Sequence, residues 1–165
     1  MDISLKHIAD PAAERCGCLV LPVADGGRFG TVAARVDQAT GGQLARLVKA
    51  EHFSGAAGKS VLLHHPVGVA AQRLLLLGCG KPETADAAVF RKMVMHALGA
   101  AQATGTADLV LLLDDVATRE RDRDWQVEQA GLGRPAGRRL PGRRGEGAAL
   151  AARRERVSER EREGD

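Results

Sequence analysis

The sequence predicts an α/β domain of three layers, α/β/α, in which a mixed sheet lies between helices. Two observations predict it. Short runs of consecutive apolar residues, at 16–23, 61–64, 74–77 and 107–113, are typical of strands that helices cover on both faces. Stretches with helical apolar spacing separate these runs, in the order β-β-α-α-β-β-α-β-α. Because this order does not alternate strictly, we expect a mixed sheet rather than a purely parallel one.

The chain opens with two predicted strands. Residues 3–8 alternate between apolar and polar side chains, as a half-buried strand does. Residues 16–23 form an apolar run that ends at the turn signal Asp25-Gly26-Gly27. The second strand is therefore expected to be the more deeply buried of the two.

Two helices are predicted next, at residues 31–38 and 43–51, with Gly41 and Gly42 interrupting the chain between them. The second helix has aliphatic residues at spacing i, i+3 and i+4, which places them on one helical face. These residues are Leu44, Leu47 and Val48.

A strand-turn-strand unit follows, formed by residues 61–64 and 74–77 around a turn that carries Pro66 and Gly68. Both runs are apolar at consecutive positions. We therefore expect both strands to be buried on both faces.

One more helix and strand complete the pattern. Thr84 is suited to cap a helix that runs to about residue 103, and Gly105 is suited to end it in a left-handed conformation. Residues 107–113 are predicted as a buried strand, and residues 125–130 as the start of a last helix.

The composition changes after Ala130, so we place a domain at residues 1–130, with an incomplete last helix, and a tail at residues 131–165. The first part carries 14 Lys+Arg and 15 Asp+Glu, and the tail carries 10 Arg and 6 acidic residues. The tail lacks a sustained apolar period, which predicts disorder or a loose charged helix. We hypothesise that it is an out-of-frame translation, because GC-rich codons encode Arg, Gly, Ala and Pro in any frame. The alternative is a genuine basic tail.

The length of 165 residues suits one domain. The N-terminal residues show no apolar core of a signal peptide, and no apolar run approaches the ~20 residues of a membrane span. Three cysteines are too few for a disulfide framework. Together these features predict a protein of the reducing cytoplasm that does not enter a membrane.

Two candidate sites lie beside the strand-turn-strand unit. Gly78-Cys79-Gly80-Lys81 could cradle phosphate at a helix N-terminus, but its spacing matches neither glycine-rich phosphate motif, so a tight turn is preferred. His64-His65 could bind a metal, but adjacent strand residues point to opposite faces, so structural or surface histidines are preferred.

Cysteine and aspartate pairs give two weaker candidates. Cys16 and Cys18 are expected on one face of a strand, where they are more plausible as small buried hydrophobes than as zinc ligands. Asp114-Asp115 follows a strand, where carboxylates often act, but a solvated turn is preferred.

The arginines of residues 131–165 could contact a phosphate backbone. Interleaved glutamates weaken the positive field, and no aromatic side chain in the tail is available to stack on bases. DNA binding through the tail therefore stays a minor alternative.

Two passages carry a family resemblance: residues 60–65, Ser-Val-Leu-Leu-His-His, and residues 72–81, Gln-Arg-Leu-Leu-Leu-Leu-Gly-Cys-Gly-Lys. With Asp124-Trp125 further on, they resemble the N-terminal domain of the leucyl aminopeptidase (cytosol aminopeptidase) family over residues 1–130. The resemblance implies a macro-domain-like fold. We therefore expect the non-catalytic N-terminal domain of an exopeptidase that releases N-terminal amino acids from peptides.

The resemblance also implies what the family's C-terminal domain supplies: two divalent metals, zinc or manganese, and the signature Asn-Thr-Asp-Ala-Glu-Gly-Arg-Leu. That signature is absent from the chain, so no catalytic, cofactor-binding or metal-binding residue is carried over. Family members are cytoplasmic homo-hexamers, and in some bacterial members this domain takes part in DNA binding. For this chain we expect no activity alone, doubtful hexamer formation, and self-association through sheet surface that the incomplete helix leaves exposed. The alternative hypothesis is a stand-alone macro-like ligand-binding module.

Overall fold

A mixed sheet carries the fold in the computed structural model, which describes residues 2–81, 87–112 and 148–153. The described strands are β1 (Asp2–His7), β2 (Cys18–Ala24), β3 (Arg28–Phe29), β4 (Ser60–His64), β5 (Arg73–Gly80), β6 (Asp108–Leu112) and β7 (Ala148–Arg153). The described helices are a short 3-10 turn (Pro11–Ala13), α1 (Thr31–Ala39), α2 (Gln43–Ala50) and α3 (Ala87–Ala103).

The strand order is β1-β7-β6-β2-β5-β4, and β3 pairs with the end of β2. Parallel pairing occurs at the centre, where β2 lies between β5 and β6. The other pairs, β4 with β5, β6 with β7, β7 with β1 and β3 with β2, are antiparallel. The predicted mixed sheet is therefore confirmed.

Each face of the sheet has its own core. Cys18 and Val20 of β2 pack in a cluster with α3, whereas Leu19, Leu21 and Val23 pack in a cluster with α1 and α2. Alternate residues of an apolar strand thus enter opposite layers, as consecutive apolar runs predict. The α3 side chains in the first cluster are Phe90, Met93, Val94, Ala97 and Ala101. The predicted α/β/α layering is confirmed.

The helix ends agree with the sequence signals where the structure describes them. Helix α3 ends at Ala103, and Gly105 follows with φ +74° and donates its N–H to the Gln102 carbonyl (3.0 Å). A side chain at that position would be strained, because L-residues rarely adopt positive φ. The predicted cap at Thr84, the pair Asp114-Asp115 and the helix at residues 125–130 lie outside the described residues.

The prediction that the strand at residues 61–64 is buried on both faces is wrong. Strand β4 lies at the edge of the described sheet, where it pairs with β5 alone, and its first four residues are only half-buried. A run of apolar residues predicts that the side chains of a strand pack on both faces of the sheet. It does not predict whether the strand has one neighbouring strand or two, because that depends on pairing between distant parts of the chain.

The prediction of disorder or loose helix is wrong for six residues of the tail, because Ala148–Arg153 forms β7. Ala149 is fully buried and Ala151 partly buried against the α1–α2 face. The register places Arg153 opposite Asp108 on one side and Asp2 on the other. The small side chains of Ala149 and Ala151 fit between the two neighbouring strands. The remainder of residues 131–165 lies outside the described residues.

No helix in the described part of the chain is long and apolar enough to cross a membrane.

Candidate functional site

The carboxyl ends of parallel strands are where α/β folds most often bind a ligand, which makes the shared end of β2 and β5 a candidate site. Here the loop of residues 54–59 lies directly against both strands. Asp25 donates its N–H to the Gly80 carbonyl (3.0 Å), and the N–H groups of Gly26 and Gly27 donate to the Ser54 carbonyl (2.8 and 3.1 Å). Three segments thus close this end through main-chain hydrogen bonds.

The backbone N–H groups at the glycine-rich end of β5 donate hydrogen bonds to the same loop. Gly78 donates its N–H to the Lys59 carbonyl (2.8 Å), and Gly80 donates to the Gly55 carbonyl (2.9 Å). A phosphate cradle needs such N–H groups to be free for the ligand. The two glycine amides of Gly78-Cys79-Gly80-Lys81 are therefore committed within the chain, as a tight turn requires.

Two glycines make this closure possible. A Cβ built on Gly55, whose φ is +73°, would collide with the Ala24 carbonyl oxygen. A Cβ built on Gly78 would collide with the Ala56 carbonyl oxygen. Only glycine at these two positions lets the loop of residues 54–59 approach the main chains of β2 and β5 so closely.

Cys79 is the extra residue of a bulge, where Val23 pairs with Gly78 and Ala24 with Gly80. The bulge turns its side chain toward α3, and Cys79 Sγ lies 3.3 Å from Met93 Sδ. The side chain is half-buried and packs against the core cluster on the α3 face. Its contacts are those of a packing residue.

The two histidines singled out in the sequence lie on the surface. His64 ends β4, and His65 leaves the strand with φ +50° while its N–H donates to the Gln72 carbonyl (2.9 Å). Both side chains are exposed. Their placement agrees with the preferred reading as surface histidines.

The expectation that Cys16 and Cys18 share one face is wrong. Strand β2 begins only at Cys18, and the two side chains lie in opposite core layers, Cys16 beside α1 and α2 and Cys18 beside α3. Cys16 precedes the strand, so the alternation rule does not reach it. Both are buried and neither forms a disulfide, in agreement with the interpretation as small buried hydrophobes.

The amino ends of the central strands hold a partly buried polar cluster. Asp108 accepts the Gly17 N–H on Oδ1 (3.0 Å), and the Thr106 hydroxyl donates to the Asp108 carbonyl (2.9 Å). Burial raises the pKa of the Cys18 thiol to about 11, while the charge of Arg73 lowers it and that of Asp108 raises it. Cys18 is thus held as a neutral thiol, which is poorly nucleophilic.

One pairing was not found from the sequence. His96 Nε2 on α3 lies 3.2 Å from Ser60 Oγ at the start of β4, and both side chains are half-buried. The pair ties the helix to the edge strand. The two residues are 36 positions apart, so no local pattern could have indicated it.

The described residues do not form a metal-ligating cluster. Within residues 2–81, 87–112 and 148–153, no three His, Cys, Asp or Glu side chains come together as metal ligands. A two-metal centre needs several such groups around each ion. The described residues therefore do not fit the metals that the family resemblance implies for a C-terminal domain.

Comparison with known proteins gives a consistent result. The N-terminal-domain profile of the cytosol aminopeptidase family matches residues 20–137. The probable cytosol aminopeptidase of Idiomarina loihiensis is 32% identical over 130 residues, which cover 79% of this chain and 26% of that protein. The chain thus spans about a quarter of the length of the curated relatives it matches.

Two solved structures are similar in fold. A mutant of tomato leucine aminopeptidase matches with TM-score 0.54 and 18% identity, covering 81% of this chain and 28% of that one. The macro domain of ganglioside induced differentiation associated protein 2 matches with TM-score 0.61 and 13% identity, covering 74% and 62%. At these identities the likeness concerns the fold, which is macro-like as expected.

Proposed function

This chain belongs to the cytosol aminopeptidase family, as an N-terminal domain, and from that premise we propose that it is the non-catalytic domain of a two-metal exopeptidase that releases N-terminal amino acids from peptides. The single observation that carries the proposal is the closed carboxyl end of β2 and β5. There the loop of residues 54–59 lies against both strands and accepts the hydrogen bonds of the Gly78 and Gly80 amides.

The residue inventory supports the same conclusion. The described part of the chain does not assemble three metal-ligating side chains, and the family signature Asn-Thr-Asp-Ala-Glu-Gly-Arg-Leu occurs nowhere in the 165 residues. The metals would supply carbonyl polarisation and an activated water when bound to that signature domain. In this chain no residue is assigned to that chemistry, and we propose that it is inactive alone.

An activity assay tests this proposal. The purified chain is incubated with leucine amide and Mn²⁺, beside the full-length Idiomarina loihiensis relative in the same buffer. We expect turnover from the relative and none from the chain. Metal-dependent hydrolysis by the chain, abolished by a chelator and restored by Mn²⁺, would overturn the proposal.

A macro-like binding module is the competing function, and calorimetry with ADP-ribose separates the two. The ligand would have to displace the loop of residues 54–59 to reach the N–H groups of Gly78 and Gly80. We expect neither heat of binding nor a thermal shift. Saturable heat of binding, with a thermal shift to match, would favour the binding module instead.

For the full-length protein of the family, and not for this chain alone, the same proposal includes peptide substrates and a homo-hexamer. A cytoplasmic location is proposed for both. The location is supported by three cysteines that form no disulfide.

DNA binding through the tail is tested by a salt-dependent gel shift of duplex DNA. Because β7 belongs to the sheet, the informative deletion removes residues 154–165 and retains that strand. A shift that survives it would place the contact elsewhere.

A further inference from the structure

The outer edge of β4 presents a self-complementary set of main-chain groups. In the ladder with β5, Gly78 donates its N–H to the Lys59 carbonyl, and His65 donates to the Gln72 carbonyl. Both bonds fall in the register that pairs Ser60 with Leu77 and His64 with Arg73. Hydrogen-bonded and non-hydrogen-bonded pairs alternate along an antiparallel ladder. The odd-numbered residues of β4 therefore bond to β5.

The even-numbered residues consequently aim their N–H and C=O groups away from the sheet. These are Ser60, Leu62 and His64, and they are symmetric about Leu62. Each outward residue offers one donor and one acceptor. The β4 strand of a second copy, running antiparallel with its Leu62 opposite this Leu62, could form hydrogen bonds with all three outward-facing residues.

We propose that β4 is the interface through which two copies of this chain pair across a two-fold axis at Leu62, which joins their sheets into one. In that register Ser60 of each copy lies opposite His64 of the other, and the two Leu62 residues face each other. Three pairs form, each exchanging two hydrogen bonds. A shift of the symmetric register by one step in either direction loses one of the three pairs. The interface is isologous, so it closes at two copies.

The side chains of β4 favour this occupant. Val61 and Leu63 pack against the α1–α2 core cluster and Leu62 against the α3 cluster, yet all three remain half-exposed. A second copy places Val61 beside Leu63 and Leu62 beside Leu62, which removes apolar surface from water on both faces. Ser60–His64 contains no Lys, Arg, Asp or Glu, so two identical strands meet without repulsion between such side chains.

The opposite edge of the sheet, formed by β1, differs from β4 in carrying charged residues. Natural edge strands are commonly protected by charges, proline or bulges. At that edge, β1 (Asp2–His7) contains Asp2 and Lys6 within its six residues. By comparison, β4 contains no proline and no lysine, arginine or acidic residue, and its register with β5 is unbroken. Of the two described edges, β4 is the one left open to pairing.

Light scattering on the full chain, with matched variants, tests the proposal. We expect a concentration-dependent dimer. Leu62→Lys places two charges against each other at the axis without removing a bond to β5, and should weaken dimerisation at least about tenfold. Val67→Lys adds the same charge at a residue that is 72% exposed outside the strand, and should leave the dimer unchanged. Circular dichroism verifies that each variant is folded.

Oxidative cross-linking gives the second readout. In a hydrogen-bonded antiparallel pair the Cα atoms lie about 5.5 Å apart, within the range that a disulfide spans. Leu62→Cys should therefore form a covalent dimer rapidly, and Val67→Cys should not. A monomeric wild-type chain at about 100 µM, at which micromolar affinity would show, overturns the proposal. So does a dimer that persists in Leu62→Lys without cross-linking through Leu62→Cys, since it would use another surface.

Discussion

The parallel centre of the sheet and its antiparallel flank are built from different residues. The centre consists of leucine and valine runs, such as Leu74, Leu75, Leu76 and Leu77, which are at most 2% exposed. The flank includes β7, in which the small residue Ala149 is buried and Ala151 is partly buried. Large side chains stabilise the centre by burial. The flank depends more on its place between β1 and β6, where a small strand completes two ladders. Burial of large side chains therefore contributes more to the stability of the centre, and strand pairing contributes more to that of the flank.

The largest effect is expected at the centre. Leu76 is fully buried in the α1–α2 core, so Leu76→Ala leaves a cavity and should cost about 2–5 kcal/mol of unfolding free energy. Urea unfolding measures it. Val67→Ala, at an exposed apolar residue, should change stability by no more than about 0.5 kcal/mol. Equal losses at the two positions would contradict the burial of the centre.

The flank is tested by removing a backbone donor. Ala151→Pro lies within β7, between two neighbouring strands, and should cost roughly 2–4 kcal/mol because it removes a ladder bond and leaves a carbonyl unpaired. Leu62→Pro is the matched variant on edge strand β4, where the N–H points outward, and should cost less in the monomer. Should Ala151→Pro leave the melting temperature unchanged, β7 would not be part of the stable sheet.

The closed carboxyl end of the central strands is tested with glycine variants. Gly55→Ala combines positive φ with a collision at the Ala24 carbonyl, and should destabilise by roughly 1–3 kcal/mol. Gly58 has a similar φ of +80° but open space around it, so Gly58→Ala isolates the conformational strain. Thermal unfolding of both variants measures the difference. Identical losses would mean that the loop of residues 54–59 does not press on β2.

The smallest effect concerns Cys18 at the amino end of β2. Burial raises the folded pKa of this thiol to about 11 from 9.0, so its stability contribution is present below pH 9 and lost as the pH rises through 11. Between pH 8.5 and 10.5 the unfolding free energy should fall by about 2 kcal/mol more in the wild type than in Cys18→Ala. Parallel pH profiles of the two proteins would show that the thiol titrates normally.

The hypothesis of an out-of-frame tail stays a prediction. The family profile matches to residue 137, seven residues beyond Ala130, and Ala148–Arg153 pairs with two strands. Sequencing the encoding DNA in all three frames past the codon for Ala130 tests the hypothesis. The signature Asn-Thr-Asp-Ala-Glu-Gly-Arg-Leu in another frame downstream would support it, and a confirmed stop after Asp165 without that signature would contradict it.

The parts of the fold that the sequence by itself determined are those with a local physical cause. Consecutive aliphatic residues predict β2, β5 and β6, because a strand covered on both faces needs apolar residues at every position. Glycine at position 105 predicts the end of α3, since positive φ is readily available only to glycine. The absence of a ligand-binding glycine motif likewise follows from spacing alone.

Only the tertiary structure decided which strands have two neighbours. The sequence predicts that β4 is a buried strand, but it lies at an edge of the sheet. The sequence predicts that β7 belongs to a disordered or loosely helical tail, but it lies between two strands. The loop of residues 54–59 closes the ends of β2 and β5 through main-chain bonds that no side-chain pattern encodes. The physical reason is that a residue's own side chain reports the polarity of its surroundings, while strand pairing joins backbone groups that are nearly identical in every residue.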